Sequence, residues 1–109
     1  PGMIVGDLLF VSGHVAVDTS GDVVGEGDAE AQTRQVMANI RAVIDAAGGK
    51  MEDVAKITCF ITDIASYPAY SKVRSETWPS SPPASSTVVV AGLVRPEFMV
   101  EVEAIVRLA

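Results

Sequence analysis

Two carboxylates placed two residues apart, Glu101 and Glu103, are the most chemically suggestive pair in this sequence. Phe98, Val100, Val102 and Ala104 alternate with Met99, Glu101, Glu103 and Ile105, the period of a strand apolar on one face. Both acids therefore project to the same side, about 7 Å apart. In a dry cleft two such groups raise one another's pKa toward the range of a general acid or base, whereas on a wetted strand face they are ordinary surface charges. The hydroxyls of Ser85, Ser86 and Thr87 lie just upstream, ahead of a valine run. His14 and Cys59 are each the only residue of their type. A lone imidazole is ordinarily structural, and a cysteine inside a β-branched segment is first a small buried hydrophobe; the two form a nucleophile pair only where the fold joins them.

The elements that must position these groups follow from periodicity. Ser86-Thr-Val-Val-Val90 and Phe98 to Val106 read as two strands joined by a turn, a hairpin at the centre of a sheet. The consecutive Val88, Val89 and Val90 need cover on both faces. Asp7 to Gly13 is a short strand ending at a glycine, and Ala16 to Gly27 continues as a hairpin turning at Ser20, Gly21 and Asp22. Asp28 caps a helix whose Val36, Ile40, Val43, Ile44 and Ala47 form one stripe, ended by Gly48 and Gly49. Gln32, Arg34, Gln35, Asn39 and Arg41 lie opposite, as a solvated outer face. Asp53 to Ile61 is a strand. Ser66 then caps a second helix with Pro68 in its first turn and Tyr67, Tyr70, Val73, Arg74 and Trp78 on one side; Pro79 stops it.

Two strand-helix-strand crossovers are expected to be right-handed, which puts both helices on one face of the sheet. The other face stays bare in a monomer, so a copy of the chain is expected to cover it in a closed ring.

Composition narrows the function classes. Residues 1–109 make a single domain by length, with a formal charge of -6 and a pI near 4.5, a balance that argues against nucleic acid, whose nonspecific binding comes from Lys and Arg on phosphates. No run of about 18 apolar residues suits a membrane, and no signal-peptide pattern is seen. One cysteine makes no internal disulfide, which fits a reducing compartment, and the expected location is cytoplasmic. The chain opens Pro1, Gly2 without Met, so residues can precede it. No metal-ligand spacing, P-loop or dinucleotide glycine pattern occurs, and no cofactor is expected.

Several stretches together resemble one known family. Leu8 to Gly13 with the Gly21 turn, Ala31-Gln32-Thr33 with Asn39 and Ala46-Ala47-Gly48, Asp53-Val54-Ala55-Lys56, Pro82-Pro83-Ala84 and Val100-Glu101-Val102-Glu103-Ala104-Ile105 look like the RidA (YjgF) family over nearly the whole chain. The resemblance implies a chorismate-mutase-like α+β fold, a mixed sheet with two helices on one face, and a homotrimer with ligand clefts between subunits. In the best-known branch it also implies hydrolysis of enamines and imines to keto acids and ammonia. Glu101 then matches the glutamate that orients or activates water.

The chain departs from that pattern where the ligand is held. The family loop carries an arginine that grips a carboxylate with two parallel donors; here Ser85 stands at its place. Ser71 matches a family asparagine, and the segment that brings a cleft tyrosine is outside the chain. Arg74 and Arg95 are the candidate replacement cations, and Trp78 is expected to pack rather than to hold substrate. The expected site is Glu101 as the catalytic group, with Ser85, Ser86, Thr87, Arg74 and the backbone at Gly13 around a small-molecule ligand. The activity implied is an enamine or imine deaminase of altered substrate preference. A non-catalytic ligand sensor or interaction module on the same fold is the alternative; RNA cleavage fits the acidic charge poorly.

Overall fold

The computed structural model describes residues 1–108. Five strands and two helices follow in the order β1 (Gly2–Val5), β2 (Leu8–His14), α1 (Ala29–Ala46), β3 (Val54–Ile61), α2 (Tyr67–Thr77), β4 (Ala84–Val89) and β5 (Val100–Arg107). They form one mixed sheet of order β1-β2-β5-β3-β4. β5 runs antiparallel to both its neighbours, β2 and β3, whereas β3 and β4 are parallel.

This order corrects the expected β4–β5 hairpin. A parallel pair needs a crossover, and α2 supplies it, so β4 lands beside β3 at the sheet edge. β5 pairs on the other side of β3, where its apolar face, Val100, Val102, Ala104 and Val106, is buried. β4 carries Ser85, Ser86 and Thr87 and leaves Val88 and Val89 exposed, the composition of an edge rather than a centre. β1, not foreseen from the sequence, forms a hairpin with β2 through Gly6, whose φ of 60° suits the tight connection. The expected Ala16–Gly27 hairpin reduces to a single Val17–Val23 bridge, where the Asp18 carboxylate accepts from the amides of Ser20 and Asp22.

Both helices lie on one face of the sheet and pack on each other. α1 begins as its sequence dictates, with the Asp28 carboxylate accepting from the Ala31 amide at 3.0 Å, and Val36, Ile40 and Ile44 fully buried on the sheet. Gly48, at φ 81°, releases the chain after it. α2 buries Tyr70 and Val73 and ends at Trp78, whose indole Nε1 donates to the Met51 carbonyl at 2.9 Å. Ser66 stands at the head of α2 as expected, but its side chain makes no capping bond; Asp63 caps the preceding short 3-10 turn instead.

The outward reading of α1 fails at two residues. Gln32 is wholly buried: its amide nitrogen donates to the carbonyls of Gly25 and Glu97, and its oxygen accepts from the Met99 amide at 2.9 Å. Asn39 donates to the carbonyls of Val15 and Val17. Both amides lie off the apolar stripe because they hold loop backbone, whose polar groups need partners once covered. Among the described residues no helix is long and apolar enough to cross a membrane.

Candidate functional site

The period of two along each strand sorts the candidate residues onto two faces. On the face without helices, Glu101 pairs in register with Phe60 of β3, and Phe60 in turn with Val88 of β4. On the other flank is β2, whose register with β5 slips between Val11 and His14. That irregularity brings Gly13 against Glu101: a Cβ built on Gly13 would lie 2.9 Å from the Glu101 carboxyl carbon. The carboxylate thus lies in the space a side chain at 13 would fill, half-buried, with no hydrogen bond or ion pair among the described residues. Glu103 is exposed on the same face, opposite Thr58. Beside them Lys56 donates to the Ser86 hydroxyl at 2.8 Å. Lys56 was not among the residues expected here, although its place two before Thr58 on a strand is a signal for it.

Ser85 and Thr87 align with Ile57 and Cys59, whose side chains face the helices. There the Arg74 guanidinium donates to Ser85 Oγ at 3.2 Å and sits 5.6 Å from the centre of the Tyr70 ring. Tyr70 is fully buried, and its hydroxyl lies among Cys59, Ser85 and Arg74 without meeting hydrogen-bond geometry with any of them. Burial pushes the Tyr70 phenol up to about 12, the Cys59 thiol beside it acting in the same direction, with Ser85 and Arg74 opposing. Burial likewise pushes the Cys59 thiol up to about 12, against the pull of Tyr70 and Arg74.

The predicted site therefore divides: Glu101, Gly13 and Ser86 share the open face, while Ser85, Thr87 and Arg74 share the helix side at the sheet edge. Cys59 and His14 do not form a pair. Each aligns with Val102, on opposite flanks of β5, which separates their backbones by two strand spacings, about 10 Å. Among the described residues His14 Nε2 is buried without a partner, and loss of solvation lowers its pKa. Arg95 is occupied, holding Glu97 at 2.6 Å and lying over Phe98, which leaves Arg74 as the cation beside Ser85 of β4. Among the described residues no group of three or more His, Cys, Asp or Glu is placed to hold a metal ion.

A sequence model described as Endoribonuclease L-PSP matches residues 1–108. Solved structures agree over the same span. A Rid-family protein of unknown function from Yersinia pestis is 33% identical with a TM-score of 0.93, covering 98% of this chain and 85% of its own. RidA from the Antarctic bacterium Psychrobacter is 30% identical with a TM-score of 0.91, covering 98% and 85%. A YjgF-family member from Mycobacterium tuberculosis is 26% identical with a TM-score of 0.86, covering 98% and 84%.

Proposed function

Because the chain belongs to the Endoribonuclease L-PSP family, which includes the YjgF and RidA proteins, we propose that it assembles as a homotrimer and binds a small metabolite in clefts between copies. There it hydrolyses the C=N bond of an imine, or of the imine tautomer of an enamine, and releases ammonia. One observation carries this reading: the Glu101 carboxylate and the Ser85 and Thr87 donors of β4 lie on opposite faces of a single chain. One small ligand can touch both only if the open face of one copy meets the β4 edge of the next. Such a contact is heterologous, and heterologous contacts close into rings when the rotation permits. Exposed Met3, Phe10 and Val88 on the open face favour its burial in that way.

In the proposed reaction Glu101 accepts a proton from water as the oxygen bonds to the imine carbon. That proton passes to nitrogen, giving a carbinolamine; its hydroxyl proton then moves by way of Glu101 to the same nitrogen as the C–N bond breaks, and a carbonyl compound and ammonia leave. Ser85 and Thr87 act as neutral donors where relatives use a loop arginine. A bidentate guanidinium is worth roughly 1.5 to 3 kcal/mol per charge-assisted bond, so its loss moves preference toward substrates that lean less on a carboxylate anchor. Arg74, already turned onto Ser85, supplies what positive charge this edge retains. RNA is disfavoured as a substrate by 14 acidic residues against 8 basic ones. A cytoplasmic location fits the single buried thiol.

Ammonia release from 2-imino acids and from neutral imines generated in situ, compared between the wild type and Glu101→Gln, tests the reading. Turnover of neutral imines that falls with Glu101→Gln is the expected result; turnover of 2-imino acids at the rates ordinary for RidA proteins would overturn the altered preference. A non-catalytic ligand sensor is the second reading, favoured by the serine at position 85. It wins if Glu101→Gln changes ligand binding while leaving every turnover untouched.

A further inference from the structure

The helix layer carries a second concavity, apart from the open sheet face and its carboxylates. Arg41 of α1, Met51 and Glu52 after it, and Trp78, Pro79 and Ser80 beyond α2 line a cavity of about 380 Å³, a size that suits a small organic ligand. Its apolar wall is held rigid, since the Trp78 indole is fixed by its bond to the Met51 carbonyl. Arg41 and Glu52 line this cavity with opposite charges, yet neither takes part in an ion pair among the described residues. Neighbouring cations on the same helices do: Arg34 holds Glu30 and Glu76, and Lys72 holds Glu30. Arg95 and Arg107 hold carboxylates as well, and Arg74, the other arginine without one, is turned onto Ser85, which leaves the Arg41 guanidinium open to a ligand.

An unpaired guanidinium and an unpaired carboxylate lining one cavity with Met51, Trp78 and Pro79 complement a zwitterion. The geometry points to a binding site for a free α-amino acid with an apolar side chain. Its carboxylate takes two parallel donors from Arg41, its ammonium faces Glu52, and its side chain lies on Met51, Trp78 and Pro79. This site is independent of Glu101 and of the C=N chemistry.

Trp78 is the only tryptophan, so its emission reports this cavity alone. Titration with leucine is expected to give a saturable change in Trp78 fluorescence, with amide shifts in the NMR spectrum clustered at Arg41, Glu52 and Trp78. N-acetyl-leucine, which lacks the ammonium, and leucinamide, which lacks the carboxylate, are each expected to bind at least about tenfold more weakly. Arg41→Met and Glu52→Gln, both at exposed side chains that make no bonds in the fold, are expected to weaken leucine by a similar factor and to leave imine turnover unchanged. The inference is overturned if leucine gives no saturable change up to about 20 mM, if N-acetyl-leucine binds as well as leucine, or if the shifts cluster around Glu101 instead.

Discussion

Gly13 and Glu101 occupy one shared volume: a Cβ on the glycine would stand 2.9 Å from Cδ and 3.2 Å from Cγ of the glutamate. The carboxylate rests against bare backbone on β2 and keeps its oxygens free for a ligand. Gly13→Ala must therefore push the Glu101 side chain outward, while β2, already irregular at this point, absorbs little of the change. Imine turnover is expected to fall at least about tenfold with the melting temperature nearly unchanged, the signature of a displaced catalytic group. Steady-state kinetics beside a thermal melt checks it.

Ser85 and Arg74 are coupled through their 3.2 Å hydrogen bond, which makes restoration of a loop arginine conditional. Ser85→Arg alone sets two guanidinium groups side by side and is expected to add little activity on 2-imino acids. Combined with Arg74→Ser it is expected to raise kcat/KM on those substrates by about tenfold or more, as a bidentate carboxylate contact is regained. A single mutant as active as the double would show that the two arginines do not compete.

Gln32 joins two loop segments, at Gly25 and at Glu97 to Met99, to α1 from a position with no solvent access. Gln32→Leu removes three hydrogen bonds and leaves the half-buried Glu97 carbonyl and Met99 amide without them, while the Gly25 carbonyl keeps the Asp28 amide, a loss of about 2 to 4 kcal/mol. For a domain of this size that lowers the melting temperature by roughly 10 to 20 °C. Differential scanning calorimetry of the pair decides it.

His14 has a folded-state pKa below its ordinary value of 6.5, because burial disfavours the imidazolium. The unfolded chain therefore binds a proton more readily than the folded one, so the contribution is fully present above pH 6.5 and is lost as pH falls through the folded value. Stability is expected to decline on acidification below that point, and His14→Phe is expected to flatten this limb. Denaturant midpoints measured at intervals across the acid range give the test.

Cys59 is wholly buried and its thiol is pushed up to about 12, so almost no thiolate exists at neutral pH. A thiol reagent at pH 8 is expected to react only as fast as β3 and α2 open, with the rate rising steeply on addition of denaturant. Prompt modification in native buffer would mean that the helix layer opens readily over this strand.

Local signals in the sequence were enough for several parts of this protein. The alternation of β5, the Asp28 cap and apolar stripe of α1, and the helix ending before Pro79 each depend on residues within a few positions of one another, and each stands in the structure where periodicity put it. The family was equally legible, since its motifs are contiguous. What could not be read is which strands touch and which way their residues face. β4 and β5 are near in sequence but separated by β3, because a parallel pairing through α2 outweighs a short connection, and a period-two element turns Ser85 away from Glu101 as soon as its register with β3 is set. Gln32 looked like surface because its partners, Gly25, Glu97 and Met99, come from loops up to 67 positions away. Sequence alone determined most of the elements, β1 excepted, and the chemistry each could carry. The tertiary structure decided their neighbours, because register and long-range burial depend on the whole chain closing at once and leave no mark in any one segment.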